Sequence, residues 1–286
     1  MASPSPAAAA PPSLADLRRE IDTIDAQVHR LLMDRGEIIG RLIEAKGTVE
    51  SGSAFRPARE ADMMRRLVDR HGGILPLDTV ESIWRVIIAT FTYVQAPFSV
   101  HADLAAGDAQ MRDSARFHFG FTVPFIPHMG AAGVVAAVAG SKGDLGLVPA
   151  LGGAQAWWSA LEGDGAPKII ARLPFVDRPD HPAALPVFVV SRAADDAMAT
   201  GVAMWSLRVS GWSAAAARAI APLAEVAVAP DRAFDGAALL ISVPDGGDIA
   251  AIADTLVKAG ASVRATALVG SHATRYRVSR DGLAGN

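Results

Sequence analysis

The chain has 286 residues, 51% apolar and 20% charged, with 27 basic and 30 acidic side chains and a formal net charge of −3. That balance gives no global reason to expect nucleic acid or an anionic membrane surface as partner. Cysteine is absent, which excludes disulfides and thiolate metal sites, and the seven histidines show no HExxH-type spacing, so a site without metal or cofactor is expected.

Residues 1–12 read MASPSPAAAAPP. They lack a basic n-region and carry only a short alanine run, so a disordered tail is expected rather than a signal peptide. No apolar run reaches the ~20 residues that span a bilayer, and a cytoplasmic protein is expected. Over residues 13–46, Ser13 is a candidate N-cap, with Asp16 in the first turn. Leu14, Leu17, Ile21, Ile24, Val28 and Leu31 then follow a 3-4 spacing that skips Arg35 and resumes at Ile38 and Leu42. This predicts an amphipathic helix with a coiled-coil-like seam, roughly 50 Å long at ~1.5 Å per residue. Two short helices cannot cover such a stripe, so a partner chain is expected.

Residues 47–53 read as a loop. Pro57 suits the first turn of a second helix that runs to about Arg70 and stops at Gly72-Gly73, with Met63, Met64, Leu67 and Val68 as its buried face. Asp78 and Glu81 have the spacing of a capping box. The third helix carries Trp84, Ile87, Ile88, Phe91 and Val94, with Gln95 at its end and Pro97 as its stop. From about Ser99 the character changes. Apolar runs at 145–148, 187–190 and 238–243 read as buried strands, alternating with alanine-rich helices at 131–139, 213–224 and 248–259. The alternation predicts a second, α/β domain. The domains are therefore expected at 13–97 and 100–286.

Several polar groups fall where the helical pattern asks for apolar ones. Arg35 has the register of Leu31 and Ile38. Taken alone, it reads as a snorkelling arginine with a packed stem and a wet head. Lys46 lies eleven residues on and returns to nearly the same face. Glu60 begins the next helix, and Gln95 continues the stripe of Trp84, Ile88 and Phe91. Such groups are costly to bury unpaired, and together they suggest a polar pocket inside a helical bundle. Arg18 lies 28 residues before Lys46, about 42 Å along a straight helix. One chain cannot bring both to one small molecule, whereas an antiparallel partner helix can. Arg18 equally fits a solvated run with Arg19 and Glu20.

The pattern Leu17-Arg18-Arg19-Glu20-Ile21-Asp22-x-x-Asp25, Leu31-Leu32-x-x-Arg35, Ala45-Lys46, Arg59-Glu60, Trp84-Arg85-x-Ile87-Ile88 and Gln95 resembles the all-helical (type II) chorismate mutases, above all those fused to prephenate dehydratase. The resemblance covers about residues 13–96. It implies a three-helix, all-α domain in an intertwined homodimer, rearranging chorismate to prephenate in aromatic amino acid biosynthesis without a cofactor. It further implies that Arg18 from the partner subunit and Arg35 each bind a substrate carboxylate. Lys46 and Gln95 would hydrogen-bond the ether oxygen, Glu60 would accept from the ring hydroxyl, and Arg59 would lie beside the pocket. Two positions depart from the pattern. Arg56, with one extra loop residue, replaces a frequent aspartate before the second helix, and Phe91 replaces a frequent serine a turn before the glutamine.

The second domain is less distinctive. Residues 134–139 and Gly143-Asp144-Leu145-Gly146-Leu147-Val148-Pro149 resemble the stretch before the active-site loop of prephenate dehydratases, but Leu151-Gly152-Gly153 stands where their Glu-Asn-Ser signature belongs. Thr274-Arg275-Tyr276 resembles their Thr-Arg-Phe motif. This implies a degenerate dehydratase-like domain of the periplasmic-binding-protein type, and leaves room for an aromatic amino acid effector there. Residues 238–278 also read as an ACT-like strand–helix–strand–strand unit. Ser210-Gly211-Trp212-Ser213 reads as a capped turn or an anion site, and Trp157-Trp158 as packing or a cleft wall. Three functions stay open: a mutase, a bifunctional mutase–dehydratase, and a non-catalytic small-molecule sensor.

Overall fold

The structure is a computed structural model that describes residues 12–46, 54–105, 107–150, 155–179, 181–183, 185–192, 201–231 and 236–278. Residues 1–11 of the tail expected at 1–12, the loop at 47–53 and Leu151-Gly152-Gly153 lie outside these residues. The chain divides into two compact units, Met1–Gly47 and Thr48–Asn286.

The described part of the first unit is one helix, α1 (Leu14–Lys46). Ser13 caps it reciprocally: its Oγ accepts from the Asp16 amide at 3.2 Å, and the Asp16 carboxylate accepts from the Ser13 amide at 3.1 Å. This is a capping box closed by aspartate. The apolar row Leu14, Leu17, Ile21, Ile24, Val28, Leu31 and Ile38 is 41–74% exposed. Arg35, in that row, is half-buried.

The second unit opens with α2 (Pro57–Arg70) and α3 (Leu77–Gln95). It continues through β1 (Val100–Asp103), α4 (Asp108–Phe119), β2 (Phe125–His128), α5 (Ala131–Ala139) and β3 (Leu145–Pro149). A 3-10 turn (Trp157–Leu161) leads to β4 (Lys168–Leu173), β5 (Val176–Asp177) and β6 (Val187–Ser191). Last come β7 (Gly201–Ser210), α6 (Ala214–Ile220), β8 (Glu225–Asp231), β9 (Gly236–Pro244), α7 (Ile249–Lys258), β10 (Ser262–Ala273) and β11 (Tyr276–Arg277). Nine strands form one mixed sheet in the order β2-β1-β3-β6-β4-β10-β7-β9-β8. The β2-β1-β3 edge is parallel, β6 runs against β3 and β4, and β10 is parallel to β4. The remaining pairs are antiparallel.

Helices α2, α3 and α4 cover one face of this sheet. Met64, Leu67, Val80, Ile88 and Phe119 share a core with Val100, Leu145, Ile170, Leu173 and Val187. That core runs across residues 97–102, where the sequence composition shifts, because the buried faces of α2 and α3 find their cover on the strands. In α3 the buried residues are Leu77, Val80, Glu81, Arg85, Ile88, Ala89 and Thr92. Trp84, Ile87 and Phe91 are only half-buried, and Val94 is 54% exposed. The inward face is thus turned from the one the apolar spacing indicates. The capping box expected at Asp78 and Glu81 is also not formed. The helix starts at Leu77 after Pro76 without a side-chain cap, and both carboxylates are bound by Arg178.

The segment β7-α6-β8-β9-α7-β10 is a βαββαβ plait, with strand order β10-β7-β9-β8. The first three elements of the ACT-like unit expected over 238–278 form the second half of the plait, the first half of which begins at Gly201, while the fourth, β11, pairs with β5 in a separate two-stranded sheet. Leu239, Ile241 and Val243 of β9 pack beneath α6 and α7, while Ala238 and Leu240 face a core with Trp158, Met204 and Val269. Burial on both faces accounts for the unbroken apolar run. The plait joins the rest of the sheet through the single pairing of β10 with β4. There Gly270 has φ +145°, and a Cβ on it would lie 2.1 Å from the Ile169 carbonyl oxygen.

Gly270→Ala is therefore expected to cost on the order of 3 kcal/mol through backbone strain and displacement of β4, read as a lower urea midpoint at unchanged m-value. His272, 2% exposed, donates from Nδ1 to its neighbour's carbonyl, Ala273 O, at 2.8 Å, and its Nε2 has no hydrogen-bond partner. Burial pulls its pKa from 6.5 down to about 4. The unfolded chain therefore takes up this proton first as pH falls, and the stability tied to neutral His272 is lost between pH 6.5 and about 4. At ~1.36 kcal/mol per unit the full loss is about 3 kcal/mol. Urea unfolding at pH 7 and pH 5 should show a shallower pH dependence for His272→Leu than for the unaltered chain; equal slopes would disprove this assignment.

Candidate active site

The residues singled out in the sequence fall on both units. Arg18, Arg35 and Lys46 lie on α1, with Arg18 exposed, Arg35 half-buried and Lys46 as the last helical residue. Along the helix Arg18 stands about 26 Å from the level of Arg35 and about 42 Å from that of Lys46. A single copy of α1 does not bring Arg18 and Lys46 to one small ligand.

Arg59, Glu60 and Gln95 lie in the second unit. Arg59 is exposed in the first turn of α2. Glu60, next to it, points inward and is 4% exposed. Arg85 of α3 donates from Nη1 to Glu60 Oε2 at 2.7 Å and from Nη2 to the His118 carbonyl of α4 at 3.1 Å. The guanidinium carbon also sits 5.2 Å from the Phe175 ring centroid. Burial pushes the Glu60 pKa up, and the positive charge of Arg85 opposes that rise. Gln95, half-buried, donates from Nε2 to the Phe91 carbonyl one turn back at 3.0 Å. Its amide group has a second N–H available. Glu60 and Gln95 thus spend their described hydrogen bonds on different partners.

Arg85 is the buried partner of Glu60 that the sequence reading passed over, although it stood inside the quoted Trp84-Arg85-x-Ile87-Ile88 pattern. The signal was the pair Glu81 and Arg85, four residues apart, in register with Leu77 and Ile88. Around it lies a wider buried polar group. Arg178 binds Glu81 and Asp78, and His181 Nε2 is 3.3 Å from Glu81 Oε1. The His118 ring stacks on His181 with centroids 6.2 Å apart and has no hydrogen-bond partner at either nitrogen. Burial, followed by the nearby charge of Arg85, holds His118 well below the ordinary histidine range and keeps it neutral.

In the α/β part, Arg275 binds Asp177 at 3.0 Å and approaches Glu225 at 3.6 Å, and the Tyr276 hydroxyl donates to Asp69 at 2.7 Å. Trp158 is a core residue, 2% exposed, which fits the packing reading. Ser213 caps α6 by accepting from the Ala216 amide at 3.2 Å, which fits the plain capped turn. His101 links His128 and Asp144 in one hydrogen-bonded chain, at 2.9 and 3.2 Å. Among the described residues no group of three or more His, Cys, Asp or Glu side chains is placed to hold a metal ion. No helix among them is long and apolar enough to cross a membrane.

Comparison with known proteins gives matches in sequence and in structure. The bifunctional chorismate mutase/prephenate dehydratase of Neisseria gonorrhoeae is 35% identical over 103 residues, 36% of this chain and 27% of that protein. The protein of the same description from Aquifex aeolicus is 28% identical over 140 residues, 48% of this chain and 38% of that protein. The chain therefore spans well under half the length of these curated relatives. Among solved structures, a quorum-quenching acylase, GqqA, aligns with 62% of this chain and 95% of its own at 14% identity and a TM-score of 0.41. Prephenate dehydratase from Streptococcus mutans aligns with 63% of this chain and 100% of its own at 13% identity and a TM-score of 0.39. Residues 17–96 match the family model of chorismate mutase type II. That segment holds Arg18, Arg35, Lys46, Arg59, Glu60 and Gln95, so the helical part of the chain carries the type II chorismate mutase sequence pattern.

Proposed function

We propose that the protein is a cytoplasmic chorismate mutase that works as a homodimer and converts chorismate to prephenate. The observation that carries this reading is the family match over residues 17–96, which contains every proposed site residue in order. The chemistry suits these residue types. The rearrangement is pericyclic and needs no nucleophile, proton shuttle or metal. The enzyme must hold a dianion in its compact conformer, which is a positioning effect. It must also stabilise negative charge growing on the ether oxygen, which fixed donors in a dry site achieve. Arg35 and the partner's Arg18 would each fork onto a carboxylate. Lys46 and Gln95 would donate to the ether oxygen, Gln95 through the N–H that its bond to Phe91 leaves over. Glu60 would accept from the ring hydroxyl through oxygen capacity not taken by Arg85, and Arg59 would border the pocket.

The sequence pattern of α1 supports the dimer. Its apolar row is too exposed for a settled helix face, and an antiparallel second copy would cover it while bringing Arg18 to the far end. A second reading, a bifunctional mutase–dehydratase, is favoured by the described activities of both curated relatives. Against it stand the missing Glu-Asn-Ser signature and the ion pairs that engage Arg275. An effector site for an aromatic amino acid in the α/β part remains part of the proposal, as does the sensor alternative.

Purified protein given chorismate should consume it and release prephenate, with Lys46→Ala and Arg35→Ala each lowering kcat/KM by about 10²–10³-fold. Phenylpyruvate formed without acid, and lost in Arg275→Ala, would promote the bifunctional reading. No loss of chorismate would overturn the mutase and favour a sensor. The shared site has its own test. Arg18→Ala and Lys46→Ala should each be inactive alone, and mixing them should restore about a quarter of full activity, because half the dimers are then hybrids with one intact site of two. No recovery in a mixture that exchanges subunits would rule out a site shared between subunits.

A further inference from the structure

We infer that Arg85 is a positioning residue of the mutase site, fixing the Glu60 carboxylate and anchoring it to helix α4 of the α/β layer; this rests on the mutase reading above. The geometry carries it. A guanidinium is a planar fork of donors that stays charged, and here it is 1% exposed. One arm holds Glu60 Oε2 at 2.7 Å, and the other holds the His118 carbonyl at 3.1 Å. Phe175 lies against its face. The acceptors belong to α2 and α4 and the donor to α3, so the carboxylate direction is set by three elements at once. Arg85 bonds one carboxylate oxygen and the Arg56 amide also donates to the carboxylate, which leaves part of its acceptor capacity for a substrate hydroxyl. The second half of the protein would thus serve the mutase even where it has no chemistry of its own.

Charge adds to geometry. Glu60 is buried, and burial alone drives a carboxylate toward its neutral form. The charged and titratable groups around it are Arg85 of α3, His118 of α4 behind Arg85, and the adjoining set of His181, Glu81 and Arg178. His118 is held neutral by burial, and Arg178 is bound to Glu81 and Asp78. Arg85 is therefore the cation in contact with Glu60, and its charge and hydrogen bond oppose the rise in pKa that burial imposes.

The experiment compares full-length unaltered protein, Arg85→Gln, Arg85→Lys and Arg178→Gln by KM, kcat and the pH profile of kcat/KM on chorismate, with thermal unfolding alongside. Arg178→Gln removes another buried cation that binds α3 without touching Glu60. Arg85→Gln is expected to raise KM about tenfold with a smaller change in kcat, since the hydroxyl contact exists in bound substrate and transition state alike. It should also move the acidic limb of the profile upward by about one pH unit or more, and Arg85→Lys should return most of that shift. Arg178→Gln should lose stability with its limb in place. A general loss of folding would instead lower apparent kcat at unchanged KM and limb. That pattern in Arg85→Gln, or a shift equal to that of Arg178→Gln, overturns the proposal while leaving the mutase reading intact. No turnover by the unaltered protein overturns both. Should Arg85→Gln fail to fold, Glu60→Gln decides: an acidic limb that stays in place in that folded variant shows that the limb does not report Glu60 and overturns the assignment, whereas loss of the limb supports it.

Discussion

A permanently charged guanidinium buried to 1% exposure must find acceptors in the folded chain, and Arg85 finds them on two different helices. Removing one partner from such an arrangement leaves an uncompensated charge, at a cost of several kcal/mol. The bond set therefore acts as a geometric constraint more than as a source of net stability. It ties α3 to both α2 and α4. The neighbouring Arg178 applies the same constraint from the loop after β5, reaching Asp78 and Glu81 at the start of α3. The helical hairpin that carries Glu60 and Gln95 is thus secured at two levels to the layer beneath it, by charges that cannot slide past apolar neighbours.

The sheet below supplies the rigidity that such a constraint needs. Its strands β3, β4, β6 and β9 are covered on both faces, and every residue of β3 and β6 is buried. Two differently built halves meet at its middle. One is a partly parallel region around β1 and β3, and the other is the antiparallel plait that ends in β10. They join where Gly270 lets β10 approach the Ile169 carbonyl closely. A side chain there would separate the halves, so the continuity of the nine strands depends on one backbone position with no Cβ.

What was legible in the sequence follows from how local each signal is. The long first helix, its Ser13 cap and the skip at Arg35 are statements about residues a turn or two apart, and α1 reproduces them. The runs at 145–148, 187–190 and 238–243 were legible because strands buried on both faces carry uninterrupted apolar residues. Strand β1 was missed because it reads Val-His-Ala-Asp, with His101 and Asp103 buried through bonds to residues far along the chain or in the next turn. Strand β10 pairs with β7 about sixty positions earlier rather than with β9 beside it, which no local pattern records. The inward face of α3 was misplaced for a related reason. Periodicity counts Glu81 and Arg85 as outward because they are charged, yet partners 25 to 100 residues away make their burial affordable. Glu60 was placed as a site residue from the family pattern, but its partner lay beyond the reach of spacing arguments.

The two departures from the mutase pattern take on a different weight once the local bonds are known. At Phe91 a side-chain hydroxyl is lost, but Gln95 is oriented by the Phe91 carbonyl, a backbone group present whatever residue stands there. The amide that would face the ether oxygen keeps its aim without help from side chain 91. At Arg56 the loop charge changes sign, while the carboxylate four residues on is bonded by the Arg85 guanidinium and by the Arg56 backbone, neither of which depends on side chain 56. In a reaction that needs placed charges and no covalent partner, the groups whose direction is fixed by backbone or by buried pairs matter most. Under the proposed roles the variable contacts would fall at the pocket rim, where they adjust affinity, and the fixed ones on the ether oxygen and the ring hydroxyl, where small displacements cost the most.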